Sequence, residues 1–430
     1  MKASRALALA LGATVAALAS CRAPAPREAT SLAPPAPAQA RTVVVAGTSG
    51  DYAPWSTWSG ARPEGLAPSL FGTFASASSY EPHWTRFAWT GVTGDLREGR
   101  FEIAVDGMTV RPERSLTGRY TIPIAAGGAV LLVRRPSWAS SLSLAELDRP
   151  AFRVAVNRGG HLERVTRAKL RSATITAVPS NEGVRALLVR GEVDALMTNT
   201  FEAPRWAHGL DGIERIGPLT SDVTAFWVRA DRADLADRLD AWLATEEESG
   251  RLGEARARWL GEGAGPPAAS AVFALLAATS ERLALMPWVA AAKAKVGLPI
   301  EDLAQEAEVL RASKRAVDHA LAERGASARP SEEAVERFFR IQIELAKIAQ
   351  VRAPLAHGDD ATAPSLGGEL RPAIARISAR MAFLAARVPA GSDARGAMES
   401  ARTVLAESGL DHDRIDAVAA AIVALAPTAR

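Results

Sequence analysis

The stretch FEIAVDGMTVRPERSLTGRYTIPI, residues 101–124, decides the fold of the first half of this chain. Its short apolar run at 102–105 reads as a strand, and a polar cluster from Thr109 to Arg114 follows through a Pro-Glu-Arg turn. Working outward, strand-like runs also stand at 42–46, 130–133, 152–156, 175–178, 193–197 and 225–228. Helical patterns lie between them at 143–147, 162–170 and 182–189. This alternation predicts an α/β domain over residues 41–262.

Past GEGAGPPA, residues 261–268, the character changes. The Gly/Pro run predicts a linker at 263–269 and a second, all-helical domain over 270–430. Ala, Leu, Glu and Arg recur there at helical spacing, giving helices at about 270–296, 301–324, 331–351, 370–387, 393–407 and 412–425. Residues 353–368 read as a long loop, and no repeat of fixed period is present. The segment SERLALMPWVAAAKAKVGLPIED, residues 280–302, reads as one long helix ending in a Leu-Pro-Ile-Glu-Asp turn. Arg282 and Lys293 are eleven residues apart, about three helical turns, so both cations project from one face. Two cations on a largely apolar face suit a dry pocket for a small dianion.

At 430 residues the chain has room for two or three domains. Its formal charge of +3 becomes +1 once Lys2 and Arg5 leave with a leader, which is no electrostatic footprint for nucleic acid. Residues 1–20 read as that leader: a basic start, an apolar run, and small residues before the only cysteine, Cys21. Leu18-Ala19-Ser20-Cys21 resembles a bacterial lipobox, which implies lipidation of Cys21 and a periplasmic, lipid-anchored protein, with Arg22 favouring the outer membrane. The Ala/Pro-rich residues 21–40 read as a tether. Later apolar runs are interrupted by charge too often to span a bilayer. A lone cysteine forms no intrachain disulfide, and the six scattered histidines show no metal-ligand spacing. No metal and no cofactor is expected.

Three segments of the α/β half resemble the amino-acid-type periplasmic solute-binding proteins, in particular the cyclohexadienyl dehydratases, which act on prephenate or arogenate. They are GTSGDYAPWS (47–56), the 101–124 stretch, and VDALMTNTFEA (193–203). The resemblance implies a two-lobed fold with a cleft between the lobes. Arg114 is the residue expected to hold a substrate carboxylate, since a guanidinium fork offers two parallel hydrogen bonds. Thr109 and the backbone near Gly107 would assist, with Asp51 and Trp89 also against substrate and Trp55 at a matching aromatic position. Loss of hydroxide and carbon dioxide from prephenate requires a proton for the leaving oxygen, and a buried neutral carboxylic acid can supply it. Glu202 matches the family's general acid.

Three positions depart from the family. Asn199 stands where amino-acid receptors carry an aspartate for the substrate ammonium group, so a simple receptor is disfavoured. His161-Leu162 replaces a Thr-Asn pair whose amide touches substrate, leaving His161 as the substitute donor. Gly65-Leu66-Ala67 replaces Gly-Phe-Asp at the first helix.

The 280–302 segment, with ERFFRIQIELAKIAQ at 336–350, resembles the secreted, all-helical chorismate mutases. That rearrangement needs no acid or nucleophile, only a fixed dianion and cations placed where charge develops on the ether oxygen. The resemblance assigns Arg282 to a carboxylate, Lys293 to a carboxylate and the ether oxygen, and Gln350 to the ether oxygen. Asp302 and Glu306 fall to the hydroxyl region, and Arg371 completes the site within one chain. Where the family has an arginine three residues after the aspartate, this chain has Gln305, and Lys347 is the alternative cation.

The leading expectation is therefore a bifunctional exported enzyme of phenylalanine biosynthesis, taking chorismate to prephenate and then to phenylpyruvate. A dehydratase with a degenerate helical remnant is one alternative. A non-catalytic carboxylate- or amino-acid-binding lipoprotein for transport or sensing is another. Expected partners are small-molecule substrates and a membrane through Cys21, with oligomerisation left open.

Overall fold

Apolar strands with helical crossovers bury both faces of a sheet, and the α/β half builds two such sheets. The structure is a computed structural model that describes residues 41–135, 142–261, 265–353 and 363–427. Cys21 and the 1–20 and 21–40 segments lie outside the described residues, as do residues 263 and 264 of the expected linker and the middle of the 353–368 loop.

The first sheet has the order Tyr80–Arg86, Thr42–Thr48, Ile103–Thr109, Asp222–Arg229, Gly118–Tyr120, with Ala125–Gly127 also paired to Asp222–Arg229. Its first three strands are parallel, and Asp222–Arg229 runs antiparallel to them. The second sheet has the order Thr174–Val178, Arg153–Asn157, Ala195–Asn199, Ala129–Arg134, Ile213–Ile216. The chain passes between sheets twice, at Gly127-Gly128 and again between Ile216 and Asp222, so each sheet anchors one lobe.

All seven strand-like runs fall on strands. The sequence reading contains neither Tyr80–Arg86 nor the short strands Gly118–Tyr120 and Ile213–Ile216, nor the helices Ala233–Glu248 and Arg251–Leu260, and it places only the start of the helix Leu66–Ala77. Tyr80–Arg86 (YEPHWTR) is an edge strand, where a proline costs no ladder bond and polar residues face solvent, so it carries no apolar signature.

From Ala271 onward every regular element among the described residues is helical. The single helix expected over 270–296 is two: Ala271–Ala284 and Met286–Lys295, interrupted at Leu285. Pro287 lies in the first turn of the second and lacks the N–H that would continue the ladder. This 25-residue stretch contains an 18-residue window of mean hydropathy 1.3, apolar enough to cross a membrane, but 72% of that window is buried inside the protein, as befits a core helix. The end of the expected 353–368 loop runs into a π-helical turn, Leu366–Leu370, capped by Ser365.

The helical region is not strung behind the first lobe but packed into it. One hydrophobic cluster runs from Val44, Phe71, Ile103 and Phe226 through Leu239 and Leu243 to Leu275, Phe338, Ile377 and Val418. Polar pins reinforce this junction. Inside the first lobe, beside the helices, Asp240 is fully buried and accepts from Arg119 (2.7 Å) and from the Ile122 N–H (2.7 Å). Glu247 pairs with Arg256 (2.6 Å) and accepts from the Ala269 N–H (3.2 Å). Glu281 accepts from Ser115 (2.7 Å) and forms a buried ion pair with Arg380, whose other nitrogen reaches the Tyr120 carbonyl (2.6 Å). The second lobe has its own core around Val133, Val156 and Met197.

Candidate active sites

The cleft gathers side chains from strand ends, where open α/β sheets bind ligands. Strand Ile103–Thr109 ends in Gly107 and Thr109, and the short helix Pro112–Thr117 then presents Arg114. Gly107 is required: a Cβ there would lie 2.5 Å from the Tyr52 ring and 2.7 Å from Trp55. Strand Ala195–Asn199 turns at once into Glu202, the N-cap of helix Ala203–Ala207. Strand Arg153–Asn157 leads through Gly159, at φ 76°, to His161 at the start of helix His161–Lys169. Tyr52, Trp89, Thr109, Arg114, His161 and Glu202 wall one cavity with about 30 Å³ of free space. That is about the share of one water. Ligand pockets run to about 300–1,000 Å³, so a metabolite enters only when the lobes part.

Glu202 is 1% exposed, and burial, reinforced by the charges of Asp51 and Asp106, pushes its carboxyl up to about 8. Thr198 (2.9 Å) and Asn199 (3.0 Å) both donate to Oε2, which leaves Oε1 to carry the proton. The Asn199 amide suits this in a way an aspartate could not. Its nitrogen also reaches the Tyr52 hydroxyl (2.8 Å), and its oxygen caps the N–H groups of Phe201 (2.9 Å) and Glu202 (3.0 Å). A carboxylate in its place would repel Glu202.

Arg114 is 4% exposed, with Nη1 on the Thr109 carbonyl (3.3 Å). Burial lowers its pKa, and no carboxylate among the described residues lies within ion-pair distance of it. A buried, unneutralised guanidinium is a site awaiting an anion. His161 Nε2 sits 2.9 Å from Asp222, and Nδ1 is buried without a partner, so the ring still offers one polar atom to the cleft.

Two expected positions fall elsewhere. Trp55 is fully buried beneath Gly107 and belongs to the core. Asp51 accepts from Trp89 (3.3 Å) but lines a neighbouring cavity rather than the cleft. Sequence reasoning missed Tyr52 as a wall and Asp106 as the pin beneath it. Asp106 is fully buried and accepts from Thr48, Ser49, Ser56 and the Gly107 N–H at 2.7–3.1 Å. Desolvation raises its pKa. The only sequence signal was an aspartate inside an apolar strand.

Among the described residues, polar contacts between the lobes include Tyr52 with Asn199, Asp51 with Asn181 (3.3 Å), Asp222 with His161, and Glu113 with Arg164 (3.0 Å), and the Trp55 and Phe201 rings meet edge to face.

The helical region holds a second cavity of about 560 Å³, walled by Arg282, Lys293, Asp302, Gln305, Gln350 and Arg371 among apolar side chains such as Val289, Leu298 and Ile374. Its charged lining is three cations against one carboxylate, a net +2. Arg282 is 8% exposed, donates to the Gln342 carbonyl (2.8 Å), and is lowered to about 10 by burial. Lys293 donates to the Ile300 carbonyl (2.9 Å); burial lowers it while Asp302 opposes. Gln350 spends one N–H on the Ala346 carbonyl (3.1 Å), and its oxygen is buried without a partner. Asp302 caps the helix Leu303–Arg324 through the Gln305 N–H (3.0 Å). Glu306 is absent from the wall and pairs with Lys347 (3.3 Å). Lys347 is no replacement cation: Glu301, Glu306 and Glu344 surround it at 3.0–3.3 Å.

Residues 44–262, half of the chain, match the family described as bacterial extracellular solute-binding proteins, family 3. The chain belongs to that family. Within it, the chain is similar to the cyclohexadienyl dehydratase of Pseudomonas aeruginosa, 28% identical over 176 residues, covering 40% of this chain and 65% of the relative. The match thus spans less than two thirds of that relative's length. Among solved structures, an ancestral amino acid-binding protein described as a precursor of cyclohexadienyl dehydratase is 24% identical (TM-score 0.47), covering 51% of this chain and 95% of its own. A mutant of ArgBP from T. maritima is 20% identical at the same TM-score, covering 51% and 96%. Membership fits a periplasmic address and a cleft for small molecules. The helical region lies outside the family match.

Proposed function

We propose that the cleft is the active site of a prephenate or arogenate dehydratase, with Glu202 as the general acid and Arg114 as the carboxylate anchor. The observation that carries this reading is a carboxyl held neutral by burial, with its free oxygen available, in the same small cavity as an unneutralised guanidinium. Arg114 fixes the substrate carboxylate, Thr109 and His161 supply polar contacts, and Trp89 and Tyr52 flank the ring. Glu202 delivers its proton to the departing hydroxyl, and lobe closure keeps water out during aromatisation.

We further propose that the helical cavity rearranges chorismate to prephenate. Its net +2 lining matches a dianion, Arg282 and Arg371 suit the two carboxylates, and Lys293 with Gln350 suits the ether oxygen. Gln305 stands in the wall as a neutral donor.

Family membership itself favours small-molecule binding without turnover, and a second reading is therefore a lipoprotein that binds a carboxylate or amino acid for transport or sensing. Product analysis separates them. A soluble form beginning at residue 22, given prephenate alone and chorismate alone, should yield phenylpyruvate from both. Turnover of prephenate alone leaves a dehydratase beside an inactive helical cavity, and binding of either without turnover leaves the receptor.

A further inference from the structure

Glu202 stands in the wall between two cavities. On one side is the cleft, with about 30 Å³ of free space. On the other is an outer cavity of about 800 Å³ whose lining includes Asp51, Glu182, Ala186, Val189 and Arg205. Asn181 is the second residue common to both, and its bond to the Asp51 carbonyl (3.3 Å) closes the seam between the lobes.

The rest depends on the dehydratase reading, and it begins with a proton count. In prephenate the carbon–carboxylate bond breaks and its electron pair enters the ring. The carbon–oxygen pair leaves with the hydroxyl oxygen, which takes the Glu202 proton and departs as water. A dianion becomes a monoanion, carbon dioxide and water, so each turnover consumes one proton and leaves Glu202 as a carboxylate. With the lobes closed over substrate, the cleft has no room for bulk water to restore it. The outer cavity is lined by the same residue.

We propose that the outer cavity is the proton-return route: water in it reprotonates Glu202 while the lobes are still closed over product, so the acid is recharged before they part for the next substrate. The charge distribution fits this role. Arg205 steadies the transient carboxylate, and Asp51, which acts on Glu202 through space, draws the proton back to it.

Ala186 and Val189 line the outer cavity only, on helix Asn181–Val189, and Val189 is 46% exposed, so a larger side chain fits there. Ala186→Phe and Val189→Trp should each leave the single-turnover rate with excess enzyme unchanged. Steady-state turnover of prephenate should fall about tenfold, a fraction of the 10²–10⁴ that proton donation contributes, after a burst of one product per enzyme. Two substitutions guard against local misfolding, checked by circular dichroism. The route is overturned if both rates stay unchanged, or if both fall together, in a protein that turns prephenate over. No prephenate turnover by the unaltered protein would instead remove the dehydratase reading and the route with it.

Discussion

At the scale of single residues, Glu202 carries the sharpest consequences. A general acid must be protonated, so kcat/KM for prephenate should fall as pH rises through about 8. Its folded pKa is raised from the ordinary 4.5, so its contribution to stability is complete below 4.5 and is lost as pH climbs to about 8. Glu202→Gln keeps the acceptor for Thr198 and Asn199 but cannot ionise. Dehydration should drop by roughly 10²–10⁴, and the variant's melting temperature should gain on the unaltered protein above pH 8 relative to pH 4.5, by thermal scans at both. Equal gains at the two pH values would mean that Glu202 is ionised in the folded state. Arg114, His161 and Glu202 could be singled out in the sequence because each is a polar residue in the turn that follows a strand. Tyr52 and Asp106 were not, because their meaning comes from contacts such as Thr48 with Asp106, 58 residues apart.

At the scale of elements, Ala271–Ala284 works on both faces. Arg282 points into the helical cavity, while its neighbour Glu281 reaches across to Ser115, the residue beside Arg114. Glu281→Ala strands Arg380 as a buried, unpaired charge, and urea titration should show a loss of about 3–5 kcal/mol. Replacing both by leucine should recover much of it. Lys293→Ala removes one of three cations from the helical cavity; chorismate rearrangement should fall by more than about tenfold with prephenate turnover unchanged. Coupled and separate assays check this, and normal chorismate turnover would end the site assignment. The interruption at Leu285 had a visible signal in Pro287, outweighed by an unbroken apolar pattern. Leu66–Ala77 had none of that kind, since Pro68, Gly72 and small residues blur its period.

At the scale of the whole molecule, composition placed the change from mixed to helical structure near residue 262, and the sequence could not show that the halves share a core. Linker chemistry says only that the chain bends freely there. Whether two surfaces bury each other depends on shape, which Leu239, Leu275 and Val418 acquire only on folding. Residues 41–262 expressed alone should expose that surface, bind a hydrophobic dye and aggregate. In the full chain the first lobe and the helices should melt in one transition by calorimetry. Two well-separated transitions assigned to the two halves would refute the shared core.

That shared core changes what the junction at 261–268 means. Cutting a protease site engineered there should release nothing: the nicked fragments should travel as one particle through gel filtration and part only in denaturant. The peptide link between the halves is then a matter of supply rather than of attachment, guaranteeing one copy of each. In inheritance the two halves are a single locus of selection, because a gene split at this point would have to deliver both products together to keep either one folded.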